Sequence, residues 1–550
     1  MAGISNMFNV GRLALFANQK GLEVTSQNIA NINTPGYTRQ AVSFNTTTPL
    51  STAPGQTGTG VEISEIRRVV NRFIESQITS GESSFGRLET ESGLLNRVES
   101  IFSAAGGSGL NLAISDLFSA LQDVSNAPAD RPARTVLLER AKQLSQQIVT
   151  ADTQFRQIRT DANKAVLGVL NDVNLFASQV ATLNDRIKVV NLSGQNANDL
   201  LDQRQVLINK ISERIDIQTI EDSFGQTTIF VGNGKALVEG KNAGSLVAAA
   251  SADNDGFSNI SFRSSNGSLT DITSAISNGS LSALIDVRDN KVPGFMDQLD
   301  QLSASLVNEF NQVHSATGTA FDLNGIQGGN FFGPLAPTAR GLTANTGSGV
   351  LGVTVATPSA LTLDKYRVTL SGTNYTVTNL TTGASSTPGT LPQTFEGLSI
   401  SISSGTPASG DVFNVSAHLN TARSMSVAIT DPDSIAASSS ATGVPGNNVN
   451  MNLLAGIQNN AISALNGDTL QTYYGGFVGD VGTQTQSSQR ALSVETDMRT
   501  QLKNMRQEIS GVSMDEEMTN IIKFQRAYEA AATVITTADE MFQTILALRR

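Results

Sequence analysis

The sequence has no cysteine and only two histidines among its 550 residues. Without cysteine there is no disulfide, no thiol nucleophile and no thiolate metal ligand. Such a chain is also safe in an oxidising exterior. Positive charge is scarce: 37 lysines and arginines stand against 48 acidic residues, a formal net charge of −11. An acidic chain without a basic run does not track phosphate backbones, so nucleic-acid binding is not expected. No stretch approaches ~18 consecutive apolar residues, so no membrane insertion is expected. The N-terminus, Met1 to Asn6, lacks a charged segment followed by an apolar one, so no cleavable secretory signal is expected.

What is present is 39% hydrophobic residues. That is enough for packed cores and argues against wholesale disorder. At ~150 residues per domain the length suggests three or four units.

The N-terminal pattern is regular. Ile4, Phe8, Gly11, Leu15, Asn18, Leu22, Thr25, Ile29 and Ile32 alternate at spacings of four and three. This is the period of a coiled-coil seam, broken by small or polar residues at Gly11, Asn18 and Thr25. Thr34-Pro35-Gly36 ends the helix, since proline disfavours helix in the residue before it. The C-terminus mirrors this. Leu492, Met498, Leu502, Met505 and Ile509 mark one helix, which Gly511 interrupts. Ser513 and Glu516 have the spacing of a capping box. Asp515, Glu516 and Glu517 suit the positive start of a helix dipole, and Arg549 and Arg550 its negative end. Between them, Met518, Ile521, Gln525, Tyr528, Ala532, Ile535, Ala538, Phe542, Ile545 and Leu548 again alternate at three and four.

Two amphipathic helices at opposite ends of a chain invite pairing. Burying a large apolar side chain contributes ~1.5–3 kcal/mol, against ~1–2 kcal/mol per residue for ordering the backbone. A lone pair with a thin stripe barely breaks even. Both ends are therefore expected to be loose in the free chain and to order on assembly.

These residues also carry a resemblance. Ala30-Asn-Ile-Asn-Thr-Pro-Gly-Tyr-Thr-Arg39 resembles the N-terminal motif of flagellar axial proteins, the rod, hook and hook-associated subunits. Within it lie Asn31, Thr34, Pro35, Gly36 and Tyr37. Gly511-Val-Ser-Met-Asp-Glu-Glu-Met518, Phe524-Gln-Arg-Ala-Tyr528 and Thr537-Ala-Asp-Glu-Met541 resemble their C-terminal motif. Within the family, the junction subunits between hook and filament are most similar. The resemblance implies a homo-oligomeric ring or zone outside the cell, built by terminal helices. It implies the hook protein and the second junction protein as neighbours. It also implies an export chaperone on the C-terminal helix and export by the flagellar type III apparatus. A helical shaft would transmit torque, with sliding contacts where a bending hook meets a stiffer filament. Ile4, Phe8, Leu15, Leu22, Ile29 and Ile32 would form one side of the assembly interface. Ile521, Tyr528, Ile535, Phe542 and Ile545 would form the assembly and chaperone face.

Between the ends the expected layout is nested. Residues 36–65 read as a linker with short extended stretches. Ile66, Val69, Val70, Phe73 and Ile74 open a helical region that Leu88, Leu95, Val98 and Phe102 continue. Ala105-Gly-Gly-Ser-Gly109 breaks it. A short helix around Leu117, Leu121 and Val124 is ended by Pro128 and Pro132. A very long amphipathic helix follows from Ala133 to about Val190, and another from Asn198 to Ile215. Residues 216–280 read as a small β region. A helix returns at 281–314. Residues 317–420 read as an inserted β-domain, with a hairpin around Tyr366–Leu370 and Tyr375–Thr378. Residues 421–510 return to helix and loop. The expected fold class is multidomain α + β: terminal coiled-coil helices (1–35 with 511–550), a helical-bundle shaft (66–215, 281–316, 421–510) and an inserted all-β domain.

Chemistry finds little foothold. His314 at a helix end and His418 after a strand read as structural. Gly232-Asn-Gly-Lys235 lacks the P-loop spacing and reads as a turn. Asp253-Asn-Asp-Gly256 lacks the glutamate of a calcium loop and reads as a surface turn. Neither cofactor nor metal is expected, and the expected role is structural rather than enzymatic. Another axial subunit, or a secreted adhesin suggested by the Thr/Ser/Gly-rich insertion, are the alternatives.

Overall fold

Apolar residues spaced three and four apart at both chain ends fold as two long helices, α1 (Ala2–Ala30) and α11, the last of eleven among the described residues. The structure is a computed structural model and describes residues 2–52, 55–103, 109–264 and 266–547. The expected break at 105–109 therefore lies mostly outside the described residues, as do Leu548, Arg549 and Arg550.

After α1 come four strands: β1 (Gln40–Thr46), β2 (Leu50–Thr52), β3 (Gly55–Thr57) and β4 (Val61–Arg68). β1 and β4 pair antiparallel from Gln40↔Arg68 to Thr46↔Val61, and β2 pairs with β3 at the tip. The segment expected as a linker is thus a β-ribbon packed on α1. Ile66 belongs to β4, and Val69 and Val70 precede the next helix rather than opening it. The alternation of Val61, Ile63 and Ile66 with charged residues reads with a period of two, up to the bulge in the ladder.

The shaft begins with α2 (Arg72–Ser103), α3 (Leu110–Asn126), α4 (Arg131–Leu192) and α5 (Asn198–Arg214). α4 has 62 residues, about 90 Å at ~1.5 Å per residue. Pro132 lies in its first turn, where the missing N–H is harmless; it starts α4 rather than ending α3. α4 carries an 18-residue window of mean hydropathy 1.2, yet it is amphipathic. Its apolar side, through Phe155, Val166, Val173 and Val180, is buried against the rest of the shaft.

Two small sheets follow. The first holds β5 (Gln218–Glu221), β6 (Thr227–Val231), β7 (Lys235–Glu239) and β8 (Asn242–Ala243). The second holds β9 (Ser245–Ala250), β10 (Ser258–Arg263) and β11 (Leu269–Asp271). Ile229, Leu237, Ile260 and Phe262 join the shaft core, so this region is part of the shaft's packing. α6 (Gly279–Asp286) runs through a π-turn at Val287–Lys291 into α7 (Val292–His314).

The inserted domain is a sandwich. β12 (Thr338–Gly341), β13 (Val350–Val355), β14 (Lys365–Ser371), β15 (Asn374–Asn379), β16 (Gln393–Phe395), β17 (Leu398–Ser404) and β18 (Val412–Ser416) form sheets of order β12-β18-β14-β15 and β13-β17-β16. Tyr366, Val368, Ile400 and Phe413 fill its separate core. The β14–β15 turn has two residues, not four, with Gly372 at φ +62°. Residues 317–337, expected in this domain, belong to the shaft: Phe331 and Phe332 are fully buried against Phe310. The chain returns through α8 (Thr421–Ser424), α9 (Val449–Gly456), α10 (Leu470–Ser510) and α11 (Met514–Ala547).

Candidate assembly site

The N-terminal motif is the joint between the terminal helices and the shaft. α1 ends where Asn31 and Thr34 turn the chain: Thr34 N–H donates to Asn31 O at 2.9 Å, and Thr34 Oγ1 donates to Asn31 Oδ1 at 3.1 Å. Pro35 follows, and Gly36 takes φ +83°. A β-carbon on Gly36 would meet Val206 of α5 at 2.3 Å. Glycine is required there twice, by conformation and by space.

Behind the turn lies a buried polar node. Asn28, 1% exposed, makes four hydrogen bonds. Its Oδ1 accepts from the Tyr37 hydroxyl at 2.9 Å and from Gln40 N–H at 3.0 Å. Its Nδ2 donates to Gln40 O at 2.9 Å and to Glu517 Oε2 at 3.2 Å. Asn28 thereby ties α1, the ribbon and α11 together. Tyr37 is the hydroxyl of this node. Burial first, then the negative field of Asp199, Asp202 and Glu517, pushes its pKa well above the ordinary phenol range.

A second node fixes the joint to the shaft. Asp202 of α5 accepts from Thr38 N–H at 2.9 Å, from Thr38 Oγ1 at 2.7 Å and from Arg68 Nη1 at 2.6 Å. Burial holds its pKa above the usual carboxylate value even though Arg68 and Thr38 pull it down. Arg506 of α10 bonds Glu75 of α2 at 2.7 Å and donates to Gly36 O at 3.2 Å. Higher on the same helix pair, Glu82 takes Arg499 and Lys503.

From this joint α1 and α11 run antiparallel. Their seam is tighter than the large apolar row suggests. A β-carbon on Gly11 would sit 2.7 Å from Ile535, and one on Gly21 2.8 Å from Phe524. The buried residues of α1 are Gly11, Ala17, Gly21, Val24, Thr25 and Asn28. The expected seam residues Ile4, Phe8, Leu15, Leu22, Ile29 and Ile32 are half-buried and flank that line, and Ile32 lies in the turn beyond α1. On α11, Ile521 and Ile535 are half-buried, while Tyr528, Phe542 and Ile545 remain 39%, 40% and 43% exposed. Phe44 of the ribbon packs beside Phe524, ring centroids 6.3 Å apart.

The capping box forms by half. Ser513 Oγ accepts from Glu516 N–H at 3.5 Å. The Glu516 carboxylate instead takes Arg39 at 3.0 Å. Arg39 competes because its own N–H is already held by Ser510 O at 2.9 Å.

The two histidines and the two glycine-containing turns serve packing. His314 is buried, with Nδ1 at 2.7 Å from Gly329 O and Nε2 accepting from Ala436 N–H at 2.8 Å. His418 lies between Leu363 O and Asp297. Gly232–Lys235 is the β6–β7 turn. Asp253 and Asp255 bond Thr343, Arg159 and Arg340. Asn28, Arg68, Asp202, Arg506 and Phe524 were not singled out as site residues from the sequence. The pairs join segments far apart in the chain and leave no local spacing. The one available signal was the row Gly11, Ala14, Asn18, Gly21, Thr25, Asn28, which also alternates at three and four.

Known proteins match along the whole chain. The model described as the flagellar hook-associated protein FlgK helical domain covers residues 95–332, and that of the flagellar hook-associated protein 1 D2-like domain covers 342–417. The ends match the flagella basal body rod protein model at 8–38 and the flagellar basal body rod FlgEFG protein C-terminal model at 485–548. Flagellar hook-associated protein 1 of Escherichia coli (strain K12) is 29% identical over 99% of this chain and all of its own length. That of Bacillus subtilis (strain 168) is 26% identical, covering 97% of this chain and 96% of its own. The structure of the flagellar hook junction protein FlgK from Burkholderia pseudomallei shares the fold: TM-score 0.68 at 22% identity, covering 80% of this chain and 100% of that one. With rod-protein ends around a hook-associated helical domain and D2-like domain, the chain is similar along its whole length to flagellar hook-associated protein 1.

Proposed function

We propose that this chain is a structural subunit of the bacterial flagellum that joins hook to filament, assembling through α1 and α11. The observation that carries this is the uncovered apolar surface of α11. Beyond the strip that α1 touches, Met514, Met518, Ile522, Val534 and Met541 are exposed, with Phe542, Ile545 and Leu546. A helix apolar on several sides is stable in water only when several neighbours cover it. α1 supplies one. Neighbouring copies supply the rest, with Ile4, Phe8, Leu15, Leu22, Ile29 and Ile32 flanking the line of contact.

Further parts of the reading follow from the family. The hook protein lies on one side and the second junction protein on the other. An export chaperone holds the apolar face of α11, including Tyr528, Phe542 and Ile545, before assembly. The chain reaches the exterior through the flagellar type III apparatus. The motif residues Asn31, Thr34, Pro35, Gly36 and Tyr37 set the angle at which the terminal pair leaves the shaft. The helical domain at 95–332 favours the junction over rod or hook, because the rod-protein models match only the two ends.

Labelled chain located by electron microscopy on flagellated cells tests this. Label at the hook–filament boundary is expected. Label along the hook, along the rod or over the cell surface would overturn the reading.

A further inference from the structure

We propose that the β-sandwich is a pivoting domain, turning on a buried neck at α7 and held in its observed pose by a releasable surface latch, Arg340 and Thr343 on Asp255 and Asp253. The inference does not depend on where in the flagellum the chain sits.

The neck is where the chain re-enters the shaft after β18. Asp300 of α7, 1% exposed, accepts from Asn420 N–H at 2.9 Å and from Ala422 N–H at 2.8 Å. Asn420 takes φ +66°, and its side chain accepts from Arg156 of α4 at 2.8 Å. His418, 3% exposed, sits 2.7 Å from Leu363 O on the sandwich side and 2.9 Å from Asp297 on the shaft side. Breaking these bonds would strand buried polar groups, at ~1–3 kcal/mol each. Ala304 of α7 adds an apolar seat, packed into the sandwich core. The neck therefore holds.

The latch is different in kind. Arg340 of β12 donates to Asp255 at 2.8 Å, with half of each side chain open to solvent, 49% and 55%. Thr343 N–H donates to Asp253 at 3.2 Å, and its hydroxyl bonds the same carboxylate. Exposed ion pairs of this kind contribute ~0–1 kcal/mol and weaken with salt.

The latch plate on the shaft is rigid. The turn at 251–257 is closed by Gly256 N–H to Ser251 O at 2.9 Å and Phe257 N–H to Asn254 O at 2.7 Å. Arg159 of α4 lies over the Phe257 ring at 4.6 Å and also bonds Asp255. Arg159 is one helical turn, about 5 Å, along α4 from Arg156, which bonds Asn420 at the neck. Lys365 on Asp297 at 2.7 Å and Gln312 on Pro358 O at 3.3 Å add to the grip of α7, so α7 carries the strong attachment and the 251–257 turn the weak one: a hinge with a catch. With the catch open the sandwich stays folded and attached, but its angle is no longer fixed.

The absence of cysteine makes the test direct. Spin labels go on Thr153→Cys in α4 and Thr373→Cys in the β14–β15 turn of the full chain, both exposed. The distance distribution is measured with the latch intact and with Arg340→Ala/Thr343→Ala added. Circular dichroism of both confirms that the sandwich remains folded. The width of the distribution is expected at least to double in the latch variant. At ~1 M salt, where the screening length falls to about 3 Å, the intact chain should broaden too. An unchanged width in the variant would overturn the proposal, because the neck alone would then fix the angle. A distribution already as broad with the latch intact would overturn it as well, because there would be no catch.

Discussion

Asn28 uses its full hydrogen-bonding capacity inside a closed site, with Gln40 held through both backbone groups. Asn28→Ala leaves the Gln40 amide and Glu517 without that partner. A loss of ~2–3 kcal/mol is expected locally. The check is amide exchange at Gln40 in assembled flagella, faster by one to two orders of magnitude. Gly36→Ala acts on the same joint: a β-carbon at φ +83° costs ~1–2 kcal/mol before the contact with Val206 is counted. His314 gives a pH prediction. Burial pushes its pKa down from 6.5 to about 4. Below 6.5 the unfolded chain takes up a proton that the folded ring refuses. Stability is therefore intact above 6.5 and falls as pH drops toward about 4, by on the order of 3 kcal/mol at the end. Asp300, raised by burial to about 6, works the other way: its penalty grows as pH rises from 3.8 to about 6. His314→Gln removes the first effect, so its urea midpoint at about pH 4.5 should exceed that of the unaltered chain. Equal losses on acidification in both would show that His314 is not the responsible group.

At the scale of elements, the seam between α1 and α11 rests on small residues. Gly11 receives Ile535 and Gly21 receives Phe524. Gly11→Val or Gly21→Val pushes the helices apart. Incorporation into flagella should be lost while the shaft's urea midpoint stays within ~0.5 kcal/mol of its original stability. Gly3→Ala, with open space around the new carbon, should leave assembly intact. Helices with long periodic runs are legible: α4, α5 and α11 lie where the spacing of Leu, Ile, Val and Phe puts them, while α10 begins at Leu470, well before the row that opens at Leu492. Of the expected seam row, Gly11 and Thr25 are buried in the contact, while its large apolar residues flank it, because close helix approach requires small side chains. Pro132 was misread because proline ends one helix and begins another with equal ease. The β-ribbon at 40–68 reads as linker up to residue 65 and as helix beyond it, because most of its residues face solvent and a bulge breaks the period of two after Ile63.

For the whole molecule, nesting is visible in the order of helical and β-rich segments, and the strands at 338–416 gather a buried cluster of their own around Ala304 of α7. Its starting boundary was set too early, since Phe331 and Phe332 read as loop residues yet complete the shaft core. The joint was visible as a motif but not as a contact set. Thr38–Asp202 and Arg506–Glu75 span distances in sequence that no local pattern encodes. Those contacts divide the molecule into a shaft with a full core and a terminal pair with almost none. Ala17, Val24, Ala531 and Ala538 are the fully buried apolar residues of the pair. The larger apolar residues beside them, among them Phe8, Leu15, Leu22 and Ile535, are only half covered. On the proposed function, neighbouring copies in the assembly complete the pair. Hydrogen exchange of the free chain against assembled flagella measures this directly. Residues 2–30 and 514–547 should exchange rapidly in the free chain, with the α4 core protected, and become protected on assembly. Strong protection of both segments in the free chain would contradict the account.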